Sequence, residues 1–286
     1  VTRKDWALYL ETVQQADKEV GKVLEKLEAD GLLENTIIFF FGDQGRPHVR
    51  AKQFLYDGGI RTPLLVRFPD GKNAGQINER LVSNIDLAAT TLRLANIPIP
   101  DWMQGQDFLG ESPERSYIFA MRDRRDETVD RIRAVRSRRF KYIRNFYPER
   151  PWTQFNAYKK QAYPVLTLME IMHEQGELAP EQARFMQATR PAEELYDLQN
   201  DPYELTNLAD NAAYVDTLQQ MRQVLDDWLT RADKGTYPED PKEIEYAEQL
   251  MKDRFAERME QRGLPADVSN EALLEWWEKQ MDTIKE

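Results

Sequence analysis

The stretch from Thr36 to Arg67 constrains the chain most. It runs Thr36-Ile-Ile-Phe-Phe-Phe-Gly-Asp43-Gln44-Gly45-Arg46-Pro-His48-Val-Arg50-Ala-Lys52, then Gln-Phe-Leu-Tyr56-Asp57-Gly58-Gly59-Ile60-Arg61-Thr-Pro63-Leu-Leu-Val-Arg67. The apolar run Ile37 to Phe41 is too short for a helix and rich in β-branched and aromatic side chains, which predicts a buried strand. Polar groups begin where the run stops. Ligands of open α/β sheets gather outside the carboxyl ends of the strands, so Asp43, Gln44, His48 and Lys52 occupy the place expected for a site. Upstream, Leu10, Val13, Val20, Leu24 and Leu27 fall on one helical stripe that stops at Asp30-Gly31. This predicts a helix packed on the sheet by one face, with Asp17 inside the stripe in need of a partner. Helix, turn and strand in sequence make the α/β pattern.

Residue chemistry sets what this loop can do. Asp43 and Gln44 are adjacent hard oxygen donors of the kind that Ca²⁺ and Mg²⁺ accept, but two adjacent donors do not complete a site. Lys52 is a compact charge on a flexible stem, equally readable as a surface lysine. His48 can donate to a leaving oxygen or serve as a structural hydrogen-bond partner. Arg46 and Arg50 can fork onto an anion or pair with acidic neighbours. Gly58-Gly59 permits close backbone approach.

Further along, Pro63 to Phe68 predicts a second buried strand, and Asn84 to Leu94 a helix that Ser83 or Asn84 can cap, with Asp86 serving its N-terminus. Residues 116 to 121, 131 to 136 and 139 to 146 predict short strands, the last two forming a hairpin around Ser137-Arg138. Between Arg115 and Arg150 there are twelve Lys or Arg against five Asp or Glu. That excess is either a cationic face for a polyanion or a hairpin balanced by neighbouring carboxylates. Val165 to Gln175 and Pro180 to Thr189 predict helices, His173 is assigned a structural place, and Val215 to Ala232 predicts an amphipathic helix. Beyond Lys234, Tyr237-Pro-Glu-Asp-Pro241 leads to helical segments at Ile244 to Gln261 and Ala272 to Met281, expected to wrap the body or contact a partner. The expected units are 1–110, 111–235 and a helical tail, 236–286.

A net charge of −11 and a pI near 5.0 argue against a nucleic-acid binder. No stretch approaches the roughly 18 apolar residues of a membrane span. The absence of cysteine excludes disulfides, thiolate metal sites and a Cys nucleophile.

The block Gly-Asp43-Gln44-Gly, Lys52 nine residues after Asp43, and Leu-Tyr56-Asp57-Gly58-Gly59-Ile60-Arg61-Thr-Pro63 resemble the second signature of the type I sulfatases, in the alkaline phosphatase superfamily. Arg131 to Arg144 and Glu194-Leu-Tyr-Asp to Leu208 resemble that family's C-terminal subdomain. The family nucleophile lies in a Cys-or-Ser-x-Pro-x-Arg motif that is absent here; Ser112-Pro113-Glu114-Arg115 has the wrong spacing. The resemblance implies the C-terminal part of an alkaline-phosphatase-like α/β/α sheet domain, a small antiparallel-sheet subdomain and a helical tail. It also implies a sulfuric ester hydrolase acting on sulfated sugars, incomplete as it stands, with a missing N-terminal half as partner. Asp43 and Gln44 would bind Ca²⁺ or Mg²⁺, Lys52 and His48 would act on the ester, and a formylglycine would be supplied from outside. Gln44 departs from the family's commoner Asn or His. Arg46, Arg50, Arg122 and Asp123 are candidate substrate contacts, although Arg122 to Glu127 can equally be a self-neutralising loop. A phosphonate or phosphodiester hydrolase and a non-catalytic binding module are the alternatives. A periplasmic or secreted location follows from the family alone.

Overall fold

The computed structural model describes residues 1–233 and 239–283, so the 235/236 unit boundary and Tyr237-Pro238 lie outside the described residues. Helix α1 (Thr2–Ala29) leads through a short turn to β1 (Ile38–Phe41), which pairs antiparallel with β2 (Leu64–Arg67), Phe41 facing Leu64 across the ribbon. Neither strand is buried as its composition predicts: Phe41 is 47% and Leu65 59% exposed. Nor does α1 bury any residue, and Asp17 lies in solvent rather than against a partner. The reason is size. Two strands are too few to cover both a helix stripe and their own faces.

Between these strands the chain makes a close clasp. Gly45 N–H donates to Gly59 O at 2.9 Å. A Cβ on Gly45 would fall 2.1 Å from Gly58 O, and one on Gly59 would fall 2.2 Å from Phe54 O. Both positions therefore require glycine for close approach; Gly58 itself is not crowded. The short helix α2 (Asp57–Ile60) follows from this clasp. Helix α3 (Ile85–Leu94) begins without a cap from Ser83 or Asn84. Instead buried Asp86 reaches back to accept from Ser83 N (2.8 Å), accepts from Gln106 N (2.8 Å) and pairs with Arg115 (2.6 Å). Asn84 is freed to donate to Gly42 O, next to Asp43.

Strands β3 (Ile118–Arg122), β4 (Ile132–Arg136), β5 (Phe140–Asn145) and β6 (Glu193–Asp197) form one antiparallel sheet in that order. Alternation sorts its two faces. Val135, Tyr142 and Leu195 pack on Leu218, Met221 and Leu225 of helix α7 (Val215–Ala232). On the other face Ile132, Ala134, Ile143 and Tyr196 pack with Val49, Phe54, Leu55 and Tyr56, and with Tyr163, Leu166 and Phe185. These last come from α5 (Pro164–Glu174), α6 (Pro180–Phe185) and the residue before α5, beside α4 (Ala157–Ala162). The candidate loop is therefore a wall of the second core.

Helices α8 (Pro241–Gln261) and α9 (Asn270–Thr283) lie against α4 and α5 respectively. Lys4 pairs with Asp282 and Arg124 with Glu239, so the tail is fastened at both ends. The basic excess of the hairpin is balanced rather than displayed. Lys141, fully buried, lies 2.5 Å from Asp57 and 2.7 Å from Glu204; Arg136 pairs with Asp57, Arg139 with Asp197, and Arg144 with Asp226. Of the two sequence readings, the cationic face gives way to the balanced hairpin.

Two predictions follow from these contacts. Gly45→Ala or Gly59→Ala should destabilise by ~3 kcal/mol, as expected for overpacking against fixed backbone. Gly21→Ala, in α1 with open space around it, should be neutral or stabilising by up to ~1 kcal/mol. Thermal denaturation followed by circular dichroism separates the two cases. Lys141→Met should cost about 3–5 kcal/mol by stranding Glu204 as a buried carboxylate without a cation, while Asp57 keeps Arg136, and urea titration gives the value.

Candidate active site

Asp43 and Gln44 stand just past the end of β1, exposed, with no side-chain hydrogen bond among the described residues. What holds them there is backbone: Gly42 N–H donates to Pro63 O (3.1 Å), and the Gly45–Gly59 clasp closes the turn behind them. The free oxygens suit a hard cation, and among the described residues no group of three or more His, Cys, Asp or Glu gathers that could hold one. Two donors alone would not complete a metal site, and this pair fits one only with ligands from elsewhere.

The turn after Asp43 carries His48 and Lys52 on one short loop, where His48 N–H and Lys52 N–H both donate to Arg46 O (2.9 and 3.1 Å). The imidazole is held edge-on by Trp6 (4.7 Å) and Tyr9 (4.9 Å) of α1, and Arg46 sits over the Trp6 ring. Both ring nitrogens are buried without a hydrogen-bond partner among the described residues. Burial, then the neighbouring charge of Arg46, pushes the His48 pKa down, so the ring is neutral at pH 7. A neutral, unpartnered imidazole has one N–H to give and one nitrogen to receive. Lys52 lies over the Tyr158 ring (4.6 Å) and donates to its hydroxyl at 3.3 Å. Gln53, next in the chain, takes a φ of 81°, which turns the backbone sharply after Lys52.

Three sequence candidates are committed elsewhere. Arg50 donates to Tyr203 O (2.8 Å) and Glu204 O (2.6 Å) and stacks on Tyr56, so its fork is filled by backbone rather than open to an anion. Arg122 is buried, donates to Gln53 O (3.0 Å) and faces Asp130; burial lowers its pKa to about 10 despite that carboxylate. Asp123 accepts from buried Arg133 at 2.9 Å. Apart from the Arg122–Asp130 approach, each is a pairing across at least ten residues of sequence, which local pattern does not report. Arg46 stays exposed beside Trp6.

Lys159 is the residue that sequence reasoning missed. Its Nζ is buried, donates to Val49 O (3.1 Å) and lies over the Phe54 ring (4.2 Å). Burial, reinforced by Arg122 and Lys52, brings its pKa to about 7. No motif marks it. The only local signal is its position at the third residue after the capping Asn156, whose side chain accepts from Lys159 N (3.1 Å).

The family model described as Sulfatase matches residues 2–97. An ulvan-active sulfatase of Formosa agariphila is 44% identical over 242 residues, 84% of this chain and 40% of that protein. The chain belongs to the sulfatase family. It spans less than half the length of the curated relatives it matches. The fold agrees with two solved structures. A 2-O GAG sulfatase superposes with a TM-score of 0.58 at 22% identity, covering 79% of this chain and 44% of that one. The phosphonate monoester hydrolase of Agrobacterium radiobacter gives 0.54 at 21%, covering 80% and 44%. These likenesses establish the C-terminal part of an alkaline-phosphatase-like α/β architecture, with its four-stranded antiparallel sheet.

The Lys159 environment predicts a pH dependence. The folded pKa is below the unfolded value of about 10.4, so the unfolded chain binds more protons between pH 7 and 10 and stability rises with pH across that window. Lys159→Met should flatten the rise and stabilise the protein at pH 6.5. Urea titrations of both proteins at pH 6.5, 8 and 9.5 give the comparison.

Proposed function

We propose that this chain supplies one side of the active site of a sulfuric ester hydrolase acting on sulfated sugars. The observation that carries the reading is the Asp43 turn: two oxygen donors without side-chain hydrogen-bond partners among the described residues, fixed by the Gly45–Gly59 clasp, in the same short loop as Lys52 and His48. The nucleophile is supplied by residues outside these 286, since neither Cys nor a Ser-x-Pro-x-Arg motif is present. The ulvan-active relative supports a sulfated polysaccharide as substrate, and a polymer of that size is in keeping with a periplasmic or secreted enzyme. No helix among the described residues is long and apolar enough to cross a membrane.

Asp43 and Gln44 would hold a divalent cation, Ca²⁺ in this reading, which when bound draws negative charge from the sulfate oxygens. Lys52 places its ammonium toward the bridging oxygen as the S–O bond breaks, where developing negative charge is greatest. The Tyr158 ring and hydroxyl set the direction of that flexible side chain. His48, neutral and wedged by Trp6 and Tyr9, gives its N–H as a hydrogen bond to the leaving oxygen or to a neighbouring sugar hydroxyl. Arg46, beside the same wedge, completes the positive rim.

The test uses the protein translated from the whole reading frame. Asp43→Ala should remove most of the bound metal, measured by inductively coupled plasma mass spectrometry, and most of the activity. Lys52→Ala should keep the metal and the fold but lower kcat by order 10²-fold on a sulfated substrate. Unchanged metal content in Asp43→Ala, or near-normal kcat in Lys52→Ala, would refute the corresponding role. Hydrolysis of a phosphonate monoester in preference to any sulfate ester would replace the reaction assigned here.

A further inference from the structure

A cleft of about 360 Å³ lies between α4 and α8, lined among others by Arg125, Tyr158, Gln161, Arg254, Glu257 and Arg258. Its α8 wall is unusual in charge. Arg254, Arg258 and Arg262 follow at four-residue intervals, which puts three guanidinium groups on one side of the helix, where like charges repel. Arg262, at the helix end, is fixed by donating to Gln161 O (2.8 Å) and lies over the Trp276 ring. Burial and the charge of Arg258 both oppose its protonated form.

The other two are exposed and form no ion pair among the described residues, although Glu257 and Asp126 line the same cleft. Arg254 reaches only the Met251 sulfur (4.0 Å), and Arg258 only Gln261 Oε1 (3.1 Å). Among the described residues no carboxylate pairs with either, in a chain of net charge −11 whose sheet arginines find acidic partners. Packing does not explain them, because both are exposed where they line the cleft. The opposite wall does have a connection. Tyr158 lines the cleft and is also the residue that receives the Lys52 ammonium, so one side chain separates the cleft from the reacting end.

We propose that the cleft between α4 and α8 is a subsite for a second anionic group, a sulfate or a carboxylate, on a sugar adjacent to the one that reacts beside Lys52. The proposal rests on the sulfatase reading and adds to it that the tail helix selects chains over single sugars. Guanidinium forks match the paired oxygens of both groups, and on the opposing loop Arg125 is already paired with Asp126, which leaves Arg254 and Arg258 as the cations open to a ligand. The neighbouring Arg124 ties that loop to the tail through Glu239 and keeps the two walls together.

Binding is read on the 286-residue chain by affinity electrophoresis and calorimetry with ulvan, desulfated ulvan and carboxyl-reduced ulvan. The unmodified chain should bind ulvan. The double variant Arg254→Gln, Arg258→Gln should bind at least tenfold more weakly with an unchanged circular dichroism spectrum and a shallower salt dependence. Loss of binding on desulfation identifies sulfate as the recognised group, and loss on carboxyl reduction identifies carboxylate. Equal binding by variant and unmodified chain, no binding by the unmodified chain, or retention after both modifications would overturn the subsite. In the protein from the whole reading frame, the same double variant should lose at least tenfold in kcat/KM on the polymer and none on a small aryl sulfate. Absence of hydrolysis on both substrates by the unmodified protein refutes the sulfatase reading instead, whereas equal losses or no loss in the variant refute the subsite alone.

Discussion

The buried ion cluster of Lys141, Asp57, Glu204 and Arg136 joins the two halves of the molecule. Lys141 belongs to β5, Asp57 is the first residue of α2 within the Gly45–Gly59 clasp, and Glu204 belongs to the turn after β6. Glu204 also accepts from Asp57 N (2.6 Å), while Arg50 donates to Tyr203 O and Glu204 O. Nearby, Tyr56 donates to buried Glu194, which also receives Asn145 and Tyr196. Taking such charges out of water costs several kcal/mol per ion, so the cluster is weak evidence of stability for its own sake. Its effect is registration. A loop bonded at Arg50, Tyr56 and Asp57 has little freedom in where it places Lys52 and the Asp43 turn.

This arrangement explains which parts of the molecule were legible in the sequence. The β4–β5 hairpin, α7 and the tail helices follow from periodicity, a local property, and the strands and helices lie within a few residues of expectation. Asp43, Gln44 and Lys52 were singled out by their spacing next to a strand end, and Asp43 and Gln44 do stand just past the end of β1. Partners were not legible, because Arg50 meets Tyr203 and Arg122 meets Gln53 across 153 and 69 positions. A guanidinium reads the same in sequence whether its fork is filled by a carbonyl or left open for a sulfate. Apolar run Ile37 to Phe41 predicted burial, yet β1 is half exposed, since composition records that a face is to be covered but not by which chain segment.

Helix α1 shows how a loosely packed element still shapes the site. It buries no residue, but Trp6 and Tyr9 lie one turn apart and close on His48 from two sides. The same Trp6 carries Arg46 on its other approach. Each aromatic pair is worth about 0.5–1.5 kcal/mol beyond area burial, enough to fix a ring orientation. At the far side Lys4 reaches Asp282 of α9, so α1 connects the loop with the tail.

The exposed polar and apolar groups of the first hundred residues point to one location. Water satisfies the oxygens of Asp43 and Gln44 without cost, but it does not satisfy Phe40, Phe41 and Leu65, all more than 40% exposed. Phe41 precedes Asp43 by two positions, a rise of about 7 Å along an extended chain. Any segment that covers the aromatic end of β1 therefore lies within side-chain reach of the two donors. On the proposed reading, covering the sheet and supplying the remaining ligands of a cation would be geometrically one event. A segment held there by apolar contact would meet carboxylate ligands across a fixed turn rather than a mobile one, because the Gly45–Gly59 clasp is already closed. Preorganisation of this kind lowers the entropic cost of assembling a metal site, and it depends on two glycines that cannot carry a Cβ.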